Sequence, residues 1–452
     1  MDNKNKELTS GVVWKKLLMF FLPIAAGTCI QQLYNAVDGL VVGKYVGTIA
    51  LAAVGGSAAQ IINLIIGFFV AVTTGAAVVI AQIYGAGKNE DVEKASGNAI
   101  AVCTLMGVLL AVIGIVAAPE MLKLLKTPDD TIQSSLTYLR IYFIGVPFIL
   151  VLNMESNVLR SVGDSYSPFV FMLVGCVSNI FMDLAFVLWF GWGVAGVAIA
   201  TVLAQIINMT LLTVKLAKTE APYKLRLSNF KLGGRYFGGM MRIGIPAGLQ
   251  ASMYSLSNMI IQIGVNTLGT VVVASWAMTS KIDGLYWAVS NAMGSAITTF
   301  IGQNIGAGKM DRVKLCVKQG FILSESITVA VSALIMILSK PLLHILTDDA
   351  GVMDTTYYML RLFVPFYFTW TIIEVISAVL RGAGDAVKPV IIIGLGICFF
   401  RILYMATVFT YFGTVKALCL AYLSSWVTTD IALIIYYRHG GWQKNKRMII
   451  EK

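Results

Sequence analysis

Asp38, Asn179, Asp183 and Thr201 are polar residues set in stretches of the chain that are otherwise apolar. Asn179 and Asp183 are four residues apart, so on a helix they point the same way. Gln31, Tyr34 and Asp38 recur at i, i+3 and i+7, which makes one helical face. Thr201, Gln205 and Asn208 form a second stripe of the same kind. Two carboxylates, an amide oxygen and a hydroxyl are hard oxygen ligands that suit a small cation such as Na⁺. If the two carboxylates lie close together they cannot both ionise cheaply, and one holds a proton. With either occupant the cluster exchanges one positive charge for another, which is the chemistry an antiporter requires.

The elements that must position these residues are membrane helices. Of the 452 residues, 58% are hydrophobic and only 13% charged, and the mean hydropathy is +0.80. That excess is too large for one buried core and calls for lipid as solvent. About twelve apolar runs are long enough to cross a bilayer, near 14–40, 51–80, 94–118, 131–158, 166–190, 193–216, 238–264, 271–301, 314–338, 353–380, 388–411 and 414–437. A backbone in lipid must satisfy its own hydrogen bonds, and the period-two alternation of a β-barrel is absent, so the runs are expected to be helices. The start of the chain is polar, reads as a cytoplasmic tail and lacks the pattern of a signal peptide.

Basic residues gather at the start (Lys4, Lys6, Lys15, Lys16), in the loop after the sixth run (Lys215 to Arg242) and at the end (Arg438, Lys444, Lys446, Arg447, Lys452). Lys and Arg collect on the cytoplasmic side, so both termini are expected there, in a multi-pass protein of the cytoplasmic (cell inner) membrane. The net charge of +11 follows from this bias. No basic helix stands apart from the membrane, so nucleic acid is a poor partner for it. The six cysteines form no CxxC pair and read as small packing residues. Two histidines cannot make a His-rich metal site.

The chain repeats itself. YGAGKNEDVEKA from Tyr84 matches IGAGKMDRVKLC from Ile305, and NVLRSVGDSYSP matches AVLRGAGDAVKP. Lys88 and Lys309, Arg140 and Arg361, Arg160 and Arg381, and Asp164 and Asp385 are each 221 residues apart. Residues 1–216 and 237–452 are therefore two six-span lobes joined by a cytoplasmic basic linker, 217–236. Six is even, so the lobes share orientation and are related by an axis along the membrane normal, as in transporters that rock between two faces. The same shift puts Phe400, Tyr404 and Tyr422 opposite Asn179, Asp183 and Thr201, and a shift of 223 puts Ile261 opposite Asp38. The scaffold repeats and the polar cluster does not, which argues that the fold alone does not demand it.

LPxxxGxxxQQLYNxVDGxxVG (Leu22 to Gly43), AQxxGAGK (Ala81 to Lys88), LRSVGD (Leu159 to Asp164) and its copy LRGAGD together resemble multidrug and toxic compound extrusion (MATE) transporters, over the whole chain and in the right order. The likeness is to the prokaryotic branch with an acidic first span. The resemblance implies an all-α integral membrane fold, with twelve transmembrane helices in two six-helix bundles forming a V around a central cavity. It implies export of organic cations and other amphipathic drugs driven by inward Na⁺ or H⁺. It also implies a cation site at Asp38, Asn179, Asp183 and Thr201, and a first span that bends at Pro23 as that site changes state. No cofactor other than the coupling ion is expected. The partners expected are small molecules and membrane lipids, and the chain is expected to act as a monomer.

Membrane-embedded ionisable groups cost at least ~2.5 kcal/mol each on insertion scales, so each is a functional hypothesis. Asp283 and Glu374 rank behind the first cluster. Glu155, Glu325, Lys281, Arg401 and Asp430 could line the cavity, pair together or lie near an interface. Asn153 and Asn157, four apart on the fourth run, are expected to face a substrate cavity with Gln31 and Tyr34. The eight tryptophans fall toward the ends of runs, where they suit the membrane interface. GAGK invites a nucleotide reading, but Gln82 and Gln303 stand where a phosphate loop needs Gly, and Asn89 and Met310 where it needs Ser or Thr. No GxSxG, HExxH or paired-histidine constellation marks an enzyme. A lipid-linked oligosaccharide flippase is the alternative; it commonly has extra spans and a basic cavity, whereas the cavity residues expected here are acidic or neutral.

Overall fold

The computed structural model of the chain describes residues 8–440 and 442. Lys4, Lys6, Lys444, Lys446, Arg447 and Lys452, which enter the charge argument above, lie outside them. Among the described residues the chain forms twelve long helices and no strand. In the first half these are α1 Val13–Val46, α2 Thr48–Gly85, α3 Asn89–Leu124, α4 Asp129–Ser161, α5 Tyr166–Trp189 and α6 Gly193–Lys218. In the second they are α7 Phe237–Thr267, α8 Thr270–Gly306, α9 Met310–Leu346, α10 Ala350–Gly382, α11 Val387–Phe412 and α12 Val415–Arg438. Each apolar run of the sequence falls on one helix. Many helices outlast their run. The 37 residues of α9 are about 55 Å long, well beyond the ~30 Å of hydrocarbon.

Ten of the twelve are apolar enough to span a membrane on composition alone, and α7 and α8 are not. The shortfall has a physical reason. Gln250, Asn258 and Gln262 of α7 and Thr279, Ser280, Asp283, Asn291 and Ser295 of α8 line a cavity between the lobes. Their polar faces are turned away from lipid.

Several helices are interrupted. A wide π-type turn ends α1 at Val42–Val46 and α5 at Ala185–Trp189, just past Asp38 and Asp183. In α11 two such segments, Gly394–Phe399 and Met405–Phe409, flank Arg401. Such bulges are frequent at functional sites. Pro365 tightens α10 into a 3₁₀ turn at Val364–Phe366.

Helices α1–α6 and α7–α12 make two bundles, each with its own apolar core. Val79, Ile80, Leu139, Phe143 and Leu150 centre the first; Phe300, Ile301, Leu360, Val379 and Trp426 centre the second. Helix α1 belongs to both. Its first half sends Leu17, Phe20, Phe21 and Ile24 into the core of the second lobe, and the Thr28 hydroxyl donates to the Ala288 carbonyl of α8 at 3.1 Å. At the crossover Gly27 lets α1 pack against Met172 of α5. Pro23 lies just before this crossover, inside a helix that runs on through it.

The repeat reappears as contacts. The Gln82 amide donates to the Gly382 carbonyl at 2.9 Å, and its mate Gln303 donates to the Ser161 carbonyl at 2.7 Å. All four positions obey the 221-residue shift. A side chain on Gly85 would overlap the Gln303 carbonyl, and one on Gly306 would overlap that of Gln82. Glycine is required at both points because two backbones meet there. These reciprocal contacts close the space between the lobes at the ends of α2 and α8. They lie on the face where α1 begins: the amide of Leu8 donates to Gln303, and Arg312 of α9 donates to the carbonyls of Leu8, Ser10 and Gly11.

Candidate functional site

Two polar regions stand out, one inside the first lobe and one between the lobes. In the first, α1 supplies Asp38, α5 supplies Asn179 and Asp183, and α6 supplies Thr201. Asn179, Asp183 and Thr201 are all but fully buried. The carboxyls of Asp38 and Asp183 face each other within hydrogen-bonding reach. Apart from that facing carboxyl, neither Asp183 oxygen, neither amide atom of Asn179 and not Oδ1 of Asp38 has a hydrogen-bond partner among the described residues. The Thr201 hydroxyl donates to the Val197 carbonyl at 3.0 Å, which leaves its oxygen lone pairs free. Val37, Val41, Val42, Val187, Val194 and Val197 pack as an apolar cluster beside it.

Buried polar atoms are almost always paired, so this many orphans in one bundle require an explanation. Two facing carboxyls in a poorly solvated place need a shared proton or a bound cation between them. The donor set, carboxylate and amide oxygens with a hydroxyl, fits a hard monovalent cation as well as it fits a proton. The second lobe fills the corresponding volume differently. There Ile261, Met405, Phe409 and Leu418 make an apolar cluster.

The second region is a cavity of about 670 Å³. The first lobe contributes only Ala71, Thr74, Ala77, Asn157 and Arg160; all the other lining comes from the second lobe. One wall is aromatic. Trp287 meets Trp370 edge-on at 4.8 Å, Tyr254 lies 5.6 Å from Trp370, and Tyr422 lies 5.8 Å from Trp426. Five charged side chains line the cavity: Asp283, Glu374, Arg160, Arg381 and Arg401. Glu374 and Arg381 pair at 3.2 Å, and Asp283 accepts a hydrogen bond from the Tyr367 hydroxyl. The Arg401 guanidinium lies 4.0 Å over the Tyr422 ring and donates to Ser257 and Ser425.

The sequence expectations divide accordingly. Asp38, Asn179 and Asp183 come together, with Thr201 on the neighbouring helix. Asp283 and Glu374 both reach the cavity. Of the four residues expected to line it, Asn157 does, while its amide also donates to Thr73 at 2.8 Å. The other three do not. Asn153 turns back along its own helix to the Ile149 carbonyl at 2.8 Å. Tyr34 stands with Asp38, Tyr138 and Tyr142 inside the first lobe. Gln31 is exposed on α1 and is not part of the lining. The reason is the path of α1, whose polar face turns into its own bundle past the crossover at Gly27.

Two more expectations need correction. Trp276, Trp287, Trp370 and Trp426 line the cavity instead of marking the membrane interface. The lining is not acidic or neutral either, since it holds three arginines. Glu155 is buried and accepts from the Thr213 hydroxyl at 2.6 Å, away from both regions.

Two six-helix lobes around a central cavity, with a cluster of Asp38, Asn179 and Asp183 that the second lobe does not repeat at the equivalent positions, define a membrane transporter of the two-bundle class. The MatE family model matches the chain twice, at residues 23–185 and 246–407. The chain belongs to the MatE family, and is a multi-pass membrane transporter and not an enzyme. It is 28% identical over 387 residues to the probable multidrug resistance protein YoeA of Bacillus subtilis, covering 84% of this chain and 83% of that protein. It is 27% identical to YpnP of the same organism, another probable multidrug resistance protein, covering 98% and 99%. Among solved structures, an outward-facing MATE family transporter of the MOP superfamily superposes with a TM-score of 0.89 at 21% identity, covering 98% of this chain and 99% of that one. A MOP superfamily transporter from Pyrococcus furiosus, described as having a binding pocket of reverse polarity that suggests a different function, superposes with a TM-score of 0.91 at 21% identity, with the same coverage. At that identity these two likenesses establish the fold alone.

Proposed function

We propose that this chain is a secondary antiporter that exports small amphipathic, aromatic compounds, multidrug substrates among them, in exchange for inward Na⁺ or H⁺. The observation that carries the proposal is the orphaned cluster of Asp38, Asn179 and Asp183. It lies on α1, the helix whose other half is packed into the opposite lobe. Loading the cluster with a cation or proton removes the repulsion between two carboxyls and lets α1 and α5 approach; emptying it drives them apart. Movement of α1 on the Asp38 side of Pro23 is felt at Thr28, bonded to Ala288, and across the proline at Phe20 and Phe21 in the core of the second lobe. The ion step is thereby linked to the angle between lobes, which alternating access requires. With both termini cytoplasmic, the reciprocal Gln82 and Gln303 contacts form a cytoplasmic gate, and the conformation described is outward-facing. The multidrug resistance names of YoeA and YpnP support the same substrate range.

Transport in proteoliposomes tests this, with Na⁺ and H⁺ gradients imposed separately and uptake of a fluorescent aromatic dye as the readout. One gradient is expected to drive dye movement, and Asp38→Asn and Asp183→Asn are each expected to abolish it. Gradient-driven transport that persists in both variants at the parent rate sinks the coupling site.

A further inference from the structure

The two lobes carry the same arginine in the same place with different surroundings. Arg381 of α10 is paired with Glu374, two helical turns earlier, at 3.2 Å. The residue 221 positions before Glu374 is Asn153, so Arg160 of α4 has an amide where its mate has a carboxylate. Asn153 turns the other way along the helix, its amide donating to the Ile149 carbonyl, and among the described residues no hydrogen bond joins it to Arg160. Packing explains why no carboxylate fits there. Glu374 occupies space left open by Gly294, and a side chain on Gly294 would overlap it. The mate of Gly294 is Thr73, whose side chain fills that space and accepts a hydrogen bond from Asn157. Among the described residues Arg160 is therefore left on the cavity lining with no ion pair and a buried, unpartnered Nε.

Arg401 repeats the theme on the opposite wall. It is 3% exposed, has a buried unpartnered Nε, and its hydrogen bonds go to Ser257, Asn258 and Ser425, none of them a carboxylate. Of the five charged side chains in the cavity, one pair neutralises itself and Asp283 is engaged by Tyr367. With Asp283 counted, the three arginines and two carboxyls leave the lining with one more basic than acidic group, and among the described residues neither Arg160 nor Arg401 has an ion pair. An unpaired charge away from bulk water is costly, and a ligand that supplies the missing anion offsets that cost. Guanidinium is the side chain that binds carboxylate, sulfonate and phosphate in bidentate fashion. The same cavity is lined by Trp287, Trp370, Trp426 and Tyr254, which offer flat apolar faces to a ring, and Arg401 adjoins that wall through Tyr422.

We propose that the cavity recognises planar aromatic compounds that carry an anionic group, with Arg160 as the anchor for that group and the tryptophan wall as the platform for the ring. This rests on the cavity being the substrate site of the transporter proposed above. Such a ligand touches both lobes at once, the anion on α4 of the first and the ring on α8, α10 and α12 of the second. Its presence is then felt by the same interface that opens and closes.

Binding to the purified full-length protein tests the proposal without any gradient, so its failure is separate from failure of the coupling site. Equilibrium dialysis with naphthalene-2-sulfonate and 2-naphthylmethylammonium compares one ring system with opposite charges. The sulfonate is expected to bind at least tenfold more tightly than the ammonium. Arg160→Gln is expected to weaken the sulfonate at least tenfold and leave the ammonium unchanged or tighter. Arg160→Lys, which keeps the charge and loses the bidentate fork, is expected to fall between parent and Gln variant. Glu374→Gln, which frees Arg381, is expected to tighten the sulfonate. Tighter binding of the ammonium by the parent protein overturns the proposal. So does a sulfonate affinity that none of the three variants changes. Should Arg160→Gln not fold, the Lys and Glu374 variants decide by the same readings.

Discussion

Arg160 and Arg381 occupy equivalent positions in the two lobes, as do Asp183 and Tyr404, Trp287 and Ile66, and Gln82 and Gln303. The last pair behaves alike in both lobes: each amide donates across the interface to the other lobe's helix end. The first three pairs do not. The first lobe keeps two buried carboxyls without donors and contributes one unpaired arginine to the cavity. The second lobe has Ile261 and Tyr404 where the carboxyls would be, an arginine neutralised by Glu374, all of the aromatic wall, and unpartnered carboxyl oxygens elsewhere, on Glu325 and Asp430. What the backbone needs at its interface is duplicated; what a task needs is placed once. The duplicated contacts are about closing two lobes against each other. On the function proposed above, the unduplicated ones divide ion handling and ring binding between the first lobe and the second.

The largest effects should come from the unduplicated carboxyls. Asp183→Asn is expected to reduce gradient-driven transport to background, while Tyr404→Phe at the equivalent position changes the rate less than about twofold, since nothing charged is lost. Asp183→Asn also removes a charge held in a poorly solvated place, so its thermal midpoint in detergent should equal or exceed that of the parent. Equal transport losses at the two positions would erase the division between lobes. A lowered midpoint for Asp183→Asn would make the pair structural.

The gate should instead respond symmetrically. Gln82→Ala and Gln303→Ala each leave a buried carbonyl without its donor, at a cost of roughly 1–3 kcal/mol. Thermal unfolding of each variant should report similar losses. A large loss for one and none for the other would mean that the reciprocal contacts are not equivalent.

A smaller effect is expected at the aromatic wall. Trp287→Leu should weaken binding of a naphthalene probe by up to about tenfold, in line with aromatic pair energies of ~0.5–1.5 kcal/mol beyond area burial. Ile66→Leu, at the equivalent place in the first lobe, should change it less than about twofold. The smallest effect serves as the control. Glu120 and Lys123 pair at 2.9 Å with both side chains mostly exposed, so Glu120→Ala should shift stability by no more than ~0.5 kcal/mol and leave binding and transport alone.

Much was legible before any coordinates. Apolar length specified helices, because a backbone in lipid has no other partner than itself. The 221-residue shift specified two lobes of one architecture. The spacing of Asn179 and Asp183 placed both on one face of α5, and the absence of that pair from the second copy showed that the scaffold does not require it. The Glu374 to Arg381 spacing and its broken copy, Asn153 to Arg160, were also written in the repeat, although only a comparison of charged residues seven apart would have singled them out.

Tertiary structure alone decided which side of each helix meets which neighbour. Tyr34 and Asp38 share a face in the sequence, but only the crossing of α1 between the lobes turns that face into the first bundle and away from the cavity. Tryptophans near run ends suit a membrane interface, but Trp287, Trp370 and Trp426 lie in the middle of their runs, at the depth of the cavity whose wall they form with Trp276. The fate of an arginine was least legible of all. Whether it finds a counter-charge depends on a void one side chain wide, open beside Gly294 and closed beside Thr73. Periodicity describes a helix on its own, and such voids exist only between helices.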